Sequence, residues 1–291
     1  MVYPIIKRTK IRIDQTITDP EAMITRIVDL GGIEAIRANS HRYTGTFANG
    51  KMTLKQLDDA DGTKYQDGTA ADLTTVGTDV WMKLPQFHWK CTEHATDVWD
   101  FEVTYGAKPD DTYKTWDGND LIGVYEAYYS ASNLYSVSGK LSSGGLSQAT
   151  YKTFASNRGE GFTLVKWKHH CMMAMLYYTM YGNMNCQAKI GAGTHSYQKN
   201  TGLTNSLGMA DTVADVSGNN SSINFWGLEN WWGNTFEWID NILANTSVWK
   251  VTEDDGTVRQ ATQSNLGGSS SGWISKLSFG ENIDLIPKEV S

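Results

Sequence analysis

Alternation of apolar and polar positions is clearest from Val80 onward, where it predicts short strands. Val80, Met82 and Leu84 alternate with Trp81 and Lys83; after Pro85 the pattern continues through Phe87, Trp89 and Cys91, and Trp99, Phe101 and Val103 repeat it. Leu121 to Tyr129 is a further apolar run. The segment from Trp167 to Tyr181 is apolar nearly all round and stops at Gly182-Asn183, which predicts a buried helix at the centre of the core. Val248 to Val258 reads as a hairpin turning at Asp255-Gly256.

Residues 1 to 75 have a more mixed pattern. Asp19-Pro20-Glu21 offers a capping oxygen, a proline for the first helical position and an acid for the first turn. Met23, Ile24, Ile27 and Val28 follow at helical spacing, so a short amphipathic helix closed by Gly31-Gly32 is predicted, serving either packing or docking. Asp58 to Gly77, with Asp61-Gly62, Asp67-Gly68 and several threonines, reads as a loop or linker. The chain therefore divides into a region 1–75 for attachment or oligomerisation and a main domain 76–291. Residues 191 to 222 are rich in Gly, Ser, Thr and Asn, a loop length that is functional or belongs to a loop-rich fold. Short strands, one or two helices and no βαβ repeat make the fold class α+β.

Composition narrows the function classes. A chain of 291 residues with 40% hydrophobic and 20% charged side chains is globular. Its net charge of −7 leaves no basic stripe for phosphates, so nucleic acid is not an expected partner. The opening residues lack the pattern of a secretory signal, and no apolar run is long enough for a membrane-spanning helix, so membrane insertion is not expected. Cys91, Cys171 and Cys186 have no paired spacing, which predicts reduced, mostly buried thiols and assembly in a cytoplasm, a virion component included.

The most informative stretch is Asn224-Phe225-Trp226-Gly227-Leu228-Glu229-Asn230-Trp231-Trp232-Gly233-Asn234-Thr235-Phe236-Glu237-Trp238. It resembles the signature of the formylglycine-generating-enzyme and sulfatase-modifying-factor family, an Asn, an aromatic, Gly-Leu and then Gly-Asn-x-x-Glu-Trp. Gly227 and Gly233 suit tight backbone turns, Leu228 and Trp238 suit a core, and Glu237 between aromatics needs a buried partner. Asn157 to Leu164 is similar to that family's entry to its second helix, with Val165 and Lys166 replacing a proline and an acidic start.

A closer resemblance is to the variable proteins of diversity-generating retroelements, among them gut-phage tail proteins. It is carried by Val80 to Phe87, Asp120 to Ala127, Lys166 to Met173 and Phe279 to Pro287. The resemblance implies a C-type-lectin-like fold of the formylglycine-generating-enzyme type and a non-enzymatic receptor-binding protein, or adhesin, on a phage tail. Its implied partners are a host cell-surface ligand, protein or glycan, other tail proteins, and two further copies in a homotrimer. Its place is the virion, assembled in the host cytoplasm. Families of this fold finish with an Arg-Gly-Gly-x-Trp stretch and a Gly-x-Arg strand; the sequence ends at Pro287 to Ser291 without either, so the variable C-terminal segment is expected to be absent. A structural tail subunit without ligand binding and a metal-dependent oxidase of the same fold are the alternatives.

Candidate chemistry follows from the same stretches. Cysteine-oxidising enzymes of this fold use two late cysteines, and none follows Cys186; the iron enzymes of the fold need three histidines, and no H-x-x-x-H occurs. No catalytic residue is therefore expected. His169-His170-Cys171, with His88, His94 and Cys91, suggests zinc, but neighbours on a helix point about a quarter-turn or more apart, and a core helix with hydrogen-bonded imidazoles is the other reading. For calcium, the resemblance implies the carboxylate of Glu237 with oxygens of Gly233 and Thr235, against a Glu that simply accepts backbone donors. Five of the eleven tryptophans lie between Trp226 and Trp249. Trp231 and Trp232 are neighbours that cannot both point inward along a strand, so one of them is a candidate ligand contact.

Overall fold

The computed structural model describes residues 5–217, 220–244, 247–262 and 274–290. Strand exceeds helix, 39% against 14%, and the sheets are mostly antiparallel, so the chain is α+β. The chain opens with β1 (Lys7–Asp14), β2 (Ile24–Val28), α1 (Gly31–Ala38), β3 (His41–Ala48) and β4 (Lys51–Gln56). Next come β5 (Thr78–Lys83), β6 (Phe87–Ala95), β7 (Val98–Tyr105), β8 (Lys114–Trp116), β9 (Ile122–Gly123), β10 (Tyr128–Ser130) and β11 (Asn133–Tyr135). The helices α2 (Gln148–Ser156), α3 (Trp167–Tyr181) and α4 (Cys186–Lys189) occupy the middle. The remainder is β12 (Thr212–Ser217), β13 (Asn220–Phe225), β14 (Leu228–Glu229), β15 (Ile242–Ala244), β16 (Val248–Thr252), β17 (Val258–Thr262), β18 (Ile274–Ser278) and β19 (Ile286–Val290).

Two sheets frame the core, one ordered β2-β1-β7-β6-β8 and the other β4-β3-β5-β9. The alternation read from Val80 to Val103 corresponds to β5, β6 and β7, whose Val80, Met82, Phe87, Phe101 and Val103 are fully buried. These side chains share one cluster with Ile33 and Ile36 of α1, with Met173, Met175 and Leu176 of α3, and with Phe225, Trp226 and Leu228. Each fully buried large apolar side chain contributes about 1.5–3 kcal/mol, so this cluster dominates stability. The segment from Trp167 is the central helix the pattern predicts, and Gly182 ends it in the left-handed conformation at φ 60°. The hairpin at Asp255-Gly256 also forms, joining β16 to β17.

The division at residue 75 does not coincide with a break between sheets. β1 pairs along its length with β7, and β3 pairs with β5, so strands from both sides of that division share both framing sheets. Ladder hydrogen bonds and the common core hold residues 5–75 to the rest.

The helix expected from Pro20 to Gly32 is corrected. Ile24 to Val28 is an edge strand on β1, with Ile13 opposite Ile24, and helix α1 begins where the earlier helix was to end. The β-branched run Ile24-Thr25 and Ile27-Val28 favours a strand once a partner edge is available. Gly31-Gly32 starts α1: the Oγ1 of Thr9 accepts from the backbone N–H groups of Gly32 and Ile33, both at 3.0 Å. A Cβ on Gly32 would come within 2.7 Å of the backbone of Arg8 and Thr9, so glycine here permits close helix-to-sheet approach.

Helix α2 was missed by the pattern reading. Ser147 caps it by accepting from the N–H of Thr150 at 3.2 Å, and Tyr151, Phe154 and Ala155 repeat at helical spacing over a small satellite cluster with Leu134 and Leu164. The capping serine and that spacing were the available signal. Asn157 to Leu164 follows α2, and there Arg158 pairs with the fully buried Asp79 at 2.6 Å.

Candidate functional site

The fifteen-residue stretch is where sequence and structure bear most closely on each other. Trp226-Gly227 forms the two-residue turn between β13 and β14, with Asn224 opposite Glu229 and Phe225 opposite Leu228. Both turn residues have positive φ, 52° at Trp226 and 73° at Gly227, the geometry of a tight hairpin whose twist matches its strands. Trp226 is a bulky residue in a region it rarely adopts, so its neighbours must impose it. They do: Asp211 accepts its N–H at 2.6 Å, and the guanidinium of Arg37 lies 5.1 Å above its ring.

Arg42 of β3 is buried beneath this turn. It donates to the carbonyl of Gly227 at 2.5 Å and to Oδ1 of Asn224 at 2.7 Å. Glu229 adds the nearby opposite charge, and burial lowers the pKa of Arg42. The carboxylate of Glu229 in turn accepts from the N–H groups of Gly202 and Thr204 and from the Thr204 hydroxyl, each at 2.7 Å. Burial raises its pKa, which these donors and Arg42 oppose.

A second buried carboxylate, Glu126, ties down the next part of the stretch. It accepts from the Thr235 N–H at 3.0 Å, from the Thr235 hydroxyl at 2.7 Å and from the side-chain amide of Asn234. Asn234 also donates its N–H to the Thr194 carbonyl at 2.6 Å and accepts from the Lys199 N–H at 2.7 Å. Residues 191–217 are thus held directly by Glu229 and by Asn220, which accepts from the N–H groups of His195 and Ser196, and indirectly by Glu126 through Asn234. Glu229 and Asn220 are buried acceptors matched to backbone N–H donors of this segment.

The metal residues named from the resemblance are placed as follows. The Gly233 carbonyl accepts from the Thr235 N–H at 2.9 Å, and Thr235 donates to Glu126. Glu237 is exposed to solvent, which damps the burial effect that, with the Glu126 charge second, pushes its carboxyl up towards about 8. In oxygen chemistry Glu237 and Glu126 fit a hard cation; the hydrogens aimed at Glu126 already satisfy it without one. No group of three or more His, Cys, Asp and Glu side chains suited to a metal occurs among the described residues. The role of buried acceptor anticipated for Glu237 is performed by Glu126 and Glu229, which the sequence reading did not single out. Trp238, anticipated in the core, is 52% exposed, and Phe236 is fully exposed at 107%.

His169 and His170 diverge. His169 Nδ1 accepts from the Lys166 N–H at 3.2 Å and its Nε2 meets Asp120 at 3.2 Å, whereas His170 Nε2 is buried without a partner among the described residues. The expectation of hydrogen-bonded imidazoles holds for the first and not for the second. His88, on β6, bonds Thr115 at 2.9 Å. All three cysteines are free, and burial pushes Cys91 up to about 12 and holds Cys171 well above the ordinary thiol value.

Trp231 and Trp232 lie on no strand. Asn230 at φ 53° and Gly233 at φ 87° bend the chain on either side, so both tryptophans are half-buried and both line one pocket against α3. The argument that neighbours must point to opposite faces does not apply to such a bend. No family model matches this chain, and neither a curated protein nor a solved structure does.

Proposed function

We propose that this chain is a receptor-binding protein of a phage tail, non-enzymatic, which displays a ligand-binding surface on a C-type-lectin-like fold. The observation that carries the reading is a loop with a fixed root and an exposed tip. Asn234 and Thr235 are fixed by Glu126, while Phe236 and Trp238 next to them stand in solvent. Large exposed aromatics on a preorganised loop are strong contact residues for a protein or glycan partner. The resemblance to variable tail proteins supports the phage setting, with homotrimer assembly and contacts to other tail proteins as parts of the same reading. The protonated state that burial imposes on Cys91 and Cys171 supports binding over thiol oxidation.

The test is binding of the fluorescently labelled full chain to a panel of gut bacterial cells. At least one strain binds the wild type saturably and loses the double variant Phe236→Ser/Trp238→Ser. Association with tail proteins alone would favour the structural-subunit alternative, and turnover of a thiol substrate with copper or iron would favour the oxidase. Light scattering on the isolated chain reads the trimer directly.

Calcium belongs to this proposal as a cation drawn to Glu237 beside Glu126, with oxygens of Gly233 and Thr235. The expected outcome is a higher melting temperature on adding calcium, reversed by a chelator and absent in Glu237→Gln. An unchanged melting temperature in the wild type removes calcium from the reading and leaves the binding surface.

A further inference from the structure

Between β18 and β19 the chain reverses in a short segment that is tied into the body of the protein. Phe279, Ile283 and Leu285 are buried in the main core, and the Asp284 carbonyl accepts from Trp167 Nε1 at 2.5 Å. In β18, the side chain of Gln15 bonds both the carbonyl and the N–H of Leu277, at 2.7 and 2.8 Å. Ile283 and Leu285 have positive φ, 51° and 47°, a region that bulky side chains rarely adopt, so the surrounding contacts impose it. Asn282 and Asp284, on either side of Ile283, are held in place by the same contacts.

A lysine of the five-stranded sheet meets this reversal. Lys114, the first residue of β8, is half-buried opposite Trp89 of β6, and its Nζ lies 5.5 Å from the centre of that ring. There Nζ donates to Oδ1 of Asn282, 168 positions away along the chain. Lys152 and Lys276, by contrast, pair with carboxylates at 2.7 and 2.9 Å. The partner of Lys114 is a primary amide, whose carbon is an electrophile with ammonia as its leaving group. Burial lowers the pKa of Lys114; Glu281 opposes the shift and Arg259 adds to it, so a larger share of the amine is free and nucleophilic. Asp284 is buried, with Arg259 Nε 3.1 Å from its Oδ2. Burial raises its pKa, an effect that the charges of Arg259 and Lys114 oppose, so its carboxyl can both take up and release a proton.

We propose that Lys114 and Asn282 join in an intramolecular isopeptide bond that the chain forms by itself, the carboxylate of Asp284 carrying the proton. Nζ of Lys114, as the free amine, bonds to Cγ of Asn282, and the bond from Cγ to Nδ2 breaks. The proton shed by Nζ passes through Asp284 to Nδ2, which leaves as ammonia. No oxidant, reductant or second substrate is consumed. Contact between amine and amide in the folded chain replaces a slow bimolecular encounter by an intramolecular one. The product fastens the β18–β19 hairpin to the five-stranded sheet and restricts the unfolded chain as a disulfide of the same span would. All three cysteines are free, so this link would not duplicate a disulfide. It forms whether or not the exposed aromatic loop binds a cell surface.

The intact mass of the purified full chain, with allowance for removal of Met1, tests the bond. It should lie below the mass of the sequence by one ammonia, and proteolysis should release the peptides carrying Lys114 and Asn282 as one joined species. Lys114→Met and Asn282→Ala should each restore the full mass. Asp284→Asn retains both partners and should leave most of the chain unjoined; wild-type joining in that variant, folded, overturns the role of Asp284. A chain nicked once between residues 114 and 282 should run as a single band on a reducing, denaturing gel, and as two bands in Lys114→Met. A wild-type mass equal to that of the sequence overturns the proposal, and this measurement needs no variant to fold. Loss of ammonia with the two peptides separate places the loss elsewhere, as in a succinimide at Asn49-Gly50, and overturns it equally.

Discussion

Asn224 to Asn230 and Trp231 to Trp238 are adjacent in sequence and rich in the same residue types, yet they meet opposite environments. In the first, Asn224, Phe225, Trp226, Leu228, Glu229 and Asn230 are all buried, and the turn is held from below by Arg42 and from the side by Asp211. In the second, two tryptophans line a pocket, Asn234 and Thr235 bond to Glu126, and Phe236 and Trp238 face solvent. The first segment can tolerate an unusual backbone because many contacts over-determine it; the second is held at separate points, by Glu126 at Asn234 and Thr235 and by the Leu146 carbonyl at Trp238, with Phe236 free between them. Aromatic content does not separate core from surface here. The partners brought in from distant parts of the chain do.

If that contrast is correct, the largest effect belongs beneath the turn. Arg42→Met keeps much of the side-chain bulk but leaves the Gly227 carbonyl and Asn224 Oδ1 without their donor and Glu229 without its nearby cation. Breaking a buried charged network in this way costs about 3–5 kcal/mol, read as a lower urea midpoint. A loss below about 1 kcal/mol would show that the turn is held by packing alone.

The pocket wall between the two segments gives the next effect, through pH. The pKa of His170 falls from an unfolded value near 6.5 to about 4 in the fold. The unfolded state therefore binds the proton first as pH falls, so the contribution of His170 is present above pH 6.5 and lost between about 6.5 and 4. At full size this is about 3 kcal/mol. Glu237 acts in the opposite sense over an overlapping window, because its raised pKa favours the folded state at low pH and that contribution fades as pH rises towards 8. The difference between wild type and His170→Phe isolates the histidine. Denaturant melts should show the variant gaining on the wild type as pH falls from 6.5 to 4, and parallel curves would mean the imidazole is solvated.

What was legible in the sequence follows the same division. Alternation placed β5, β6 and β7, and the all-round apolar run placed α3, because each has its main signal within its own few residues. The pair Gly227 and Leu228 was read correctly as tight turn and core for the same reason. Reading failed where a distant partner decides. Ile24 to Val28 has helical spacing but becomes a strand because β1 supplies an edge, and Gly31-Gly32 opens a helix because the Thr9 hydroxyl caps it. Arg42, Glu126 and Glu229 carried no local mark of their roles, since each joins segments far apart in sequence. The same cause misplaced Trp238 and credited Glu237 with the bonds that Glu126 and Glu229 make.

The smallest expected effect on stability is the sharpest test of the contrast. Phe236 buries nothing, and Trp238 retains one hydrogen bond, from Nε1 to the Leu146 carbonyl at 3.1 Å, with about half its surface in water. Replacing both by serine removes little packing, so the change in unfolding free energy should stay within about 0.5–1 kcal/mol. A natural chain that keeps two such side chains in solvent on a fixed loop bears a standing risk of self-association, because exposed aromatic surface is adhesive. The serine variant should therefore match the wild type in urea melts and remain monodisperse at higher protein concentration, while losing any surface-binding activity. A stability loss of several kcal/mol would instead mean that the tip packs against the body in solution, and the second segment would then belong with the first.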